Sequence, residues 1–294
     1  MISAGFYLLG LKGFSVLKGF VEKMGPEKVG VVCIGKDGGV ENDYHHETSS
    51  FCKSNNITFY FRGESPKGSA NYFFAIGWRW IISDDANLIV LHDSLLPQYR
   101  GFSPLVNMLI NGESKIGVSA IKASNEYDRG DILGQKEVNI TYPVKISDAI
   151  DKLSVIYSDL VVSVYSSITN KDTLEGIKQD NDLASYSMWR DGFDYVIDWS
   201  QDAERIIRFI DALGSPYLGA LTYINGRSVR VKDAQLFDDV SIIDREVHVG
   251  KRIFSKDGKP VIICGTGLLL INKAIFEDNG KEIFETIPFR VRFG

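Results

Sequence analysis

The stretch Asn87-Leu88-Ile89-Val90-Leu91-His92-Asp93-Ser94-Leu95-Leu96-Pro97-Gln98-Tyr99-Arg100-Gly101 passes from an apolar run into a histidine and then a turn carrying proline and glycine. Residues 87–91 read as a strand, and the chain upstream repeats the pattern: 3–9, 28–34, 57–61 and 72–76 are short β-branched or aromatic runs, and 14–24 has helical spacing. Strands alternating with helices imply a Rossmann-like α/β fold with a mostly parallel sheet. Open sheets of this kind bind ligands beyond the carboxyl ends of their strands, which is where His92 falls. The early Gly10-Leu11-Lys12-Gly13 does not make a GxGxxG element and reads as a tight strand-to-helix turn.

A carboxylate stands 36 positions after His92, as Asp128 in Tyr127-Asp128-Arg129-Gly130-Asp131-Ile132-Leu133. Imidazole titrates near neutrality, and a carboxylate beside it raises its basicity and fixes its tautomer, so the pair suits proton transfer. Spacing alone does not separate this from a hydrogen-bonded structural histidine.

Beyond Gly101, Ser103 and Pro104 open a helix that Gly112 stops, 116–123 and 134–141 read as strands, and Ser147 starts a long helix striped by Ile150, Leu153, Ile156, Leu160 and Val164. Residues 170–184 are polar and read as a connector, with domains at 1–184 and 185–294. Ser200 reads as the cap of a helix reaching Leu213, and Asn225-Gly226 and Asp257-Gly258 as the turns of two hairpins, so antiparallel strands dominate the end of the chain.

The chain has 294 residues, 44% of them hydrophobic, and a net charge of −5, which argues against a polyanion as the main partner. Cys33, Cys52 and Cys264 are odd in number and far apart, so they read as buried small hydrophobes rather than a disulfide framework or zinc cluster, and no metal site is expected. No stretch has the length and apolar character of a membrane span and the first residues lack a basic leader, so a cytoplasmic protein without membrane attachment is expected. Residues 37–51 form an acidic loop with Glu41, Asp43 and Glu47, in which His45 and His46 read as loop residues.

Read in order, HxSLLPxYRG, the helix ending in Asn111-Gly112-Glu113, Ile116-Gly117-Val118 and DxGDIL resemble the folate-dependent formyltransferase family, whose members act on methionyl-tRNA, glycinamide ribonucleotide or nucleotide-linked amino sugars. Ile197-Asp198-Trp199-Ser200 and Pro216-Tyr217-Leu218-Gly219-Ala220 extend the resemblance into the last third, which is similar to the small OB-like β domain of several members.

The resemblance implies formyl-tetrahydrofolate as donor and His92 and Asp128 as catalytic residues. It places the folate pocket at Trp80, Ile81 and Ile82 and at the loop Ser124-Asn125-Glu126-Tyr127-Asp128. Tyr99, Arg100 and Gly101, with Tyr186, Trp189 and Arg190, fall where an acceptor would bind, the aromatics to stack on a base and the arginine to meet a diphosphate. The family asparagine two residues before the histidine is Val90 here, which cannot donate to a tetrahedral oxyanion. The acidic 37–51 loop points away from tRNA, where a basic loop is the family expectation. The expected reaction is therefore formylation of a nucleotide-linked amino sugar, of the kind built for bacterial surface polysaccharides and lipopolysaccharide, by a homodimer that uses small-molecule partners and no nucleic acid. Methionyl-tRNA formylation and a weakly active folate- or nucleotide-binding homologue are the alternatives.

Overall fold

The computed structural model describes residues 2–82, 87–171 and 175–294. It divides into two compact units, one formed by residues 1–105, 114–140 and 148–189, the other by 106–113, 141–147 and 190–294.

The first unit is built on β1 (Ala4–Leu8), β2 (Val29–Ile34), β3 (Phe59–Phe61), β4 (Tyr72–Ile76), β5 (Leu88–His92), the two-residue β6 (Arg100–Gly101), β7 (Lys115–Lys122), β8 (Ile132–Asn139) and the two-residue β9 (Tyr186–Ser187). Seven of these form one sheet in the order β3-β2-β1-β4-β5-β7-β8, while β6 pairs with β9 alone. The first five strands in that order run parallel, and β7 joins β5 antiparallel, His92 lying opposite Ser119. The expected mostly parallel sheet is thus present, with an antiparallel edge.

Helices α1 (Gly10–Met24) and α4 (Ile146–Lys171) cover the sheet face that carries Phe6 and Phe74. Phe20 of α1 meets Phe6 edge-on at 5.1 Å and Tyr165 of α4 at 4.9 Å. Burying each such side chain contributes roughly 1.5–3 kcal/mol. The two helices approach closely at Gly19, where a Cβ would lie 2.0 Å from Ser158 Oγ. Alternation sends Tyr7 and Phe73 to the opposite face, where they pack with Val31, Cys33, Tyr60 and Trp78.

Helix α2 (His45–Ser54) corrects the reading of that segment as loop. His45 lies in its first turn and stacks on Phe61 at 4.4 Å. Only the small side chains Thr48, Ser49 and Cys52 of α2 are buried, so the sequence shows no apolar stripe there. Helix α3 (Pro104–Asn111) begins where Ser103 and Pro104 place it. Of the connector, residues 172–174 lie outside the described residues, and Ile177 makes an antiparallel bridge to Ile132.

The second unit carries a five-stranded antiparallel sheet in the order β10-β11-β14-β13-β12, formed by β10 (Ala220–Ile224), β11 (Arg227–Phe237), β12 (Arg252–Lys256), β13 (Lys259–Ile263) and β14 (Leu268–Phe276). Both expected hairpin turns form: Asn225 and Gly226, like Asp257 and Gly258, have positive φ at both central positions, as a type I′ turn requires. Val261, Ile263, Leu268 and Leu270 centre one side of its core.

Helix α5 (Ala203–Ala212) is capped by Asp202, whose carboxylate accepts from the Arg205 N–H, and not by Ser200, whose hydroxyl donates to Asp198. The three cysteines are free and buried, and burial pushes their thiols up to about 11 for Cys33 and about 12 for Cys52 and Cys264.

Candidate active site

Strand β5 delivers His92 as its last residue, and the next nine residues fold into a turn fastened from below. Ser94 Oγ donates to Gln98 O at 2.6 Å, and the fully buried Ser119 accepts from the Leu96 N–H at 3.0 Å while donating to Ser94 O at 2.6 Å. Gln135 Nε2 holds Leu96 O at 2.9 Å. The serine and leucines of HDSLLP are therefore structural, and they fix the path that returns Tyr99 to the histidine.

His92 is buried, and both ring nitrogens face acceptors. Nε2 lies 2.8 Å from Tyr99 O, and Nδ1 lies 3.4 Å from Asp128 Oδ1. A carbonyl can only accept, so Nε2 carries a hydrogen and Nδ1 is the ring atom turned toward the Asp128 carboxylate. Asp128, in the loop between β7 and β8, adopts a left-handed backbone with φ 56°. Its Oδ2 accepts from the Gly101 N–H at 2.8 Å. Two residues that the sequence separates by 36 positions thus face each other as a histidine–carboxylate pair.

A second polar cluster adjoins the first and was not signalled by any motif. Asp93, directly after His92, accepts from Lys12 Nζ and from the Tyr157 hydroxyl. Burial alone would raise the Asp93 carboxyl, but the Lys12 ammonium, the two hydrogen bonds and the charge of His92 outweigh it and hold the group below the usual aspartate range. Burial, followed by the Asp93 charge, pushes the Tyr157 hydroxyl well above its ordinary value.

The loop residues Ser124, Asn125, Glu126 and Tyr127 are all exposed. Tyr127 keeps 72% of its surface free, Ile81 keeps 84%, and Phe102, which the sequence reading did not single out, faces Tyr127 at 6.4 Å between ring centroids. Tyr127 directly precedes Asp128 and Phe102 directly follows Gly101, so their open rings suit a planar ligand that covers them. Trp80 differs: Arg62 stacks on its indole at 4.1 Å and Trp78 meets it edge-on at 4.9 Å, so its side chain is packed, and Ile82 is half-buried. What Trp80 and Ile82 could offer a pterin is main chain.

The acceptor-side residues divide. Tyr186 and Trp189 are 57% and 56% exposed, and hydrogen bonds from Arg100 and then Arg129 lower the Tyr186 hydroxyl below its ordinary range. Tyr99 gives the site its carbonyl and Gly101 its amide. Arg100 is corrected in its role: it is 1% exposed and turns inward, Nε and Nη2 donating to Gln179 Oε1 at 3.1 and 2.8 Å and Nη1 to Asn181 Oδ1 at 2.9 Å. Arg190 belongs to the second unit, where it donates to Asp194 O at 3.1 Å and Asn107 Oδ1 at 2.6 Å. That makes it a packing residue of its own unit, and burial lowers its pKa.

Comparison with known proteins finds relatives for both ends of the chain. Residues 70–164 match the family described as formyl transferase, and residues 193–285 match formyl transferase, C-terminal domain. A methionyl-tRNA formyltransferase of Lachnospira eligens is 32% identical over 209 residues, an overlap of 68% of this chain and 63% of that protein. An N-formyltransferase of Helicobacter canadensis, solved with folinic acid and dTDP-3-aminofucose, superposes with a TM-score of 0.66 at 19% identity over 92% of this chain and 99% of its own. HypX of Aquifex aeolicus superposes at 0.65 with 15% identity over 94% of this chain and 46% of its own. At these identities the superpositions speak to the fold. With both domain matches in sequence order, and with His92 and Asp128 meeting inside the first, the chain belongs to the formyl transferase family.

Proposed function

We propose that the protein transfers a formyl group from formyl-tetrahydrofolate to the amine of a nucleotide-linked amino sugar. The observation that carries the reading is the His92–Asp128 pair, 3.4 Å apart and largely sequestered from solvent. The donor supplies the carbonyl carbon when bound. His92, its ring oriented by Tyr99 O, delivers a proton to the departing folate nitrogen, and Asp128 beside it accepts the hydrogen of the attacking amine or of a water next to it. The residues we assign to the donor are Trp80, Ile81 and Ile82 with the loop 124–128; the exposed side chains of Ile81 and Tyr127 and the main chain of Trp80 and Ile82 suit a pterin and its aromatic linker. Tyr186 and Trp189 supply exposed aromatic faces for a base.

A small anionic acceptor rather than a polyanion accords with the net charge of −5, with Glu41 and Asp43 just before α2 and with Glu47 in its first turn. The Helicobacter canadensis protein, solved with an amino-sugar nucleotide, supports the same class. Methionyl-tRNA is the second reading, favoured by the names of the sequence relatives. A homodimer working in the cytoplasm on precursors of surface polysaccharide completes the proposal. Purified protein given formyl-tetrahydrofolate with a panel of dTDP-, UDP- and GDP-linked amino sugars, and separately with methionyl-tRNA, tests it. One amino sugar gaining a formyl group by mass supports the reading, and formylation of the tRNA alone overturns it.

A further inference from the structure

Gln179 lies in the segment after α4 and carries no recognised motif, yet its amide makes four hydrogen bonds beside Asp128. Its Nε2 donates to Asp128 O at 2.7 Å and to Gly130 O at 2.8 Å. Its Oε1 accepts both Nε and Nη2 of Arg100, at 3.1 and 2.8 Å. One amide thus uses both hydrogens and both lone pairs, and its orientation is dictated, because the flipped amide would set its hydrogens against those of the guanidinium.

The turn that Gln179 grips needs holding. Asp128 has φ 56°, a left-handed conformation of the kind that costs a non-glycine residue about 1 kcal/mol or more. Gly130 has no room to adjust, since a Cβ there would meet Lys122 O at 1.7 Å. Arg100 is itself anchored, with Nη1 on Asn181 Oδ1 at 2.9 Å and on the Tyr186 hydroxyl at 3.4 Å, and the next residue, Gly101, donates to Asp128 Oδ2. The two ends of Asp128 are therefore tied to adjacent residues of one short strand, the carboxylate directly and the carbonyl through Gln179.

We propose that Gln179, clamped by Arg100, is a positioning residue that sets the Asp128 carboxylate against His92. The inference rests on the reading of His92 and Asp128 as the proton-handling pair. Gln179→Glu is the informative change: a carboxylate pairs with Arg100 and preserves the fold, yet it has no hydrogen for the carbonyls of Asp128 and Gly130, so the turn must shift. With the amino sugar that the wild type formylates, kcat falls about 10²-fold while KM for donor and acceptor stays within about twofold, the pattern of a misplaced reacting group rather than lost binding. Amide hydrogen exchange at Gly101 accelerates, because its acceptor has moved.

A kcat within twofold of wild type, a loss carried by KM, or unchanged Gly101 exchange overturns the proposal. The exchange measurement needs no turnover. If the wild type formylates no amine, the functional reading falls while the positioning role of Gln179 is still decided. Gln179→Leu, which abandons Arg100 as well, should add a loss of thermal stability that Gln179→Glu does not show.

Discussion

The amide of Gly101 donates to Asp128 Oδ2 at 2.8 Å, which leaves Oδ1 alone to face His92 Nδ1 at 3.4 Å. The two carboxylate oxygens thus have separate places, one held by the Gly101 amide and one directed at the imidazole. Asp128→Asn removes the charge while keeping an isosteric side chain at Gly101. His92→Ala removes the proton carrier itself. Each should lower kcat by about 10²–10⁴-fold with the circular dichroism spectrum unchanged, and near-wild-type turnover in either variant would refute the catalytic assignment.

Gly101 also sits where no other residue fits. Its φ is +101° and a Cβ would meet Ser187 O at 2.4 Å, across the β6–β9 pairing. Gly101→Ala therefore pushes β6 away from β9 and withdraws the amide from Asp128. It should cost about 1–3 kcal/mol of stability and reduce turnover more than Gln179→Glu does. Thermal melting paired with steady-state rates checks both parts, and an active variant with an unchanged melting temperature would contradict them.

The Val90 position carries the next test. Val90 lies two residues before His92 on β5, so the two side chains share one face of the strand. The turn offers few replacements for the missing amide, because its main-chain donors are committed: Ser94 N to His92 O, Leu96 N to Ser119 Oγ, Tyr99 N to Ser185 Oγ, Arg100 N to Ser185 O, Gly101 N to Asp128 and Phe102 N to Ser187 O. Val90→Asn should then raise kcat by about tenfold, a fraction of what one oxyanion donor contributes. Unchanged or slower turnover would mean that a donor already exists elsewhere.

Much of this was legible in the sequence because local physics and tertiary structure agree. The strand ending at His92 announces itself by an apolar run before a turn, and both hairpins by dipeptides that tolerate two consecutive positive φ values. Where reading failed, the signal was absent or shared. Helix α2 buries only small side chains, so its stripe is invisible. Ser200 and Asp202 are both good caps, and only the hydrogen bond to the Arg205 N–H distinguishes them. Arg100 reads as a ligand contact because it lies within the HxSLLPxYRG motif, but its partner Gln179 is 79 residues away, and no local pattern reports a pairing at that separation.

The Asp93 cluster makes a prediction about pH. With Lys12 in place the Asp93 carboxyl lies below its ordinary value of about 3.9. A depressed acid contributes stability that is present above the unfolded pKa and lost as pH falls through the folded one, so the wild type should lose this contribution only in acid. Lys12→Met removes the cation and leaves burial dominant, which raises the carboxyl above its ordinary value. The variant should be weaker by about 3 kcal/mol at pH 7, with the difference narrowing as pH falls and Asp93 takes up a proton. Urea midpoints across the acid range read this directly, and a pH-independent difference would mean that Lys12 acts through packing alone.

The acceptor separates the two enzyme readings. A tRNA enzyme neutralises several phosphates, so its affinity falls steeply with salt, whereas a diphosphate involves only a few contacts. With 38 acidic against 33 basic side chains, the protein should show no measurable binding of methionyl-tRNA at physiological salt. On the sugar side, the exposed rings of Tyr186 and Trp189 are the surfaces a base would cover. Trp189→Ala and Tyr186→Phe then test different things: the first should raise the acceptor KM by about tenfold with little change in kcat, as for lost binding remote from the reacting amine, while the second keeps the ring and removes only the hydroxyl that Arg129 grips at 2.9 Å. Arg190→Ala should instead lower the stability of the second unit and leave the acceptor KM alone, since its guanidinium is held by Asn107 and Asp194. A large KM effect at Arg190 with none at Trp189 would move the base and the diphosphate to the other unit, and efficient formylation of methionyl-tRNA would replace the sugar reading altogether.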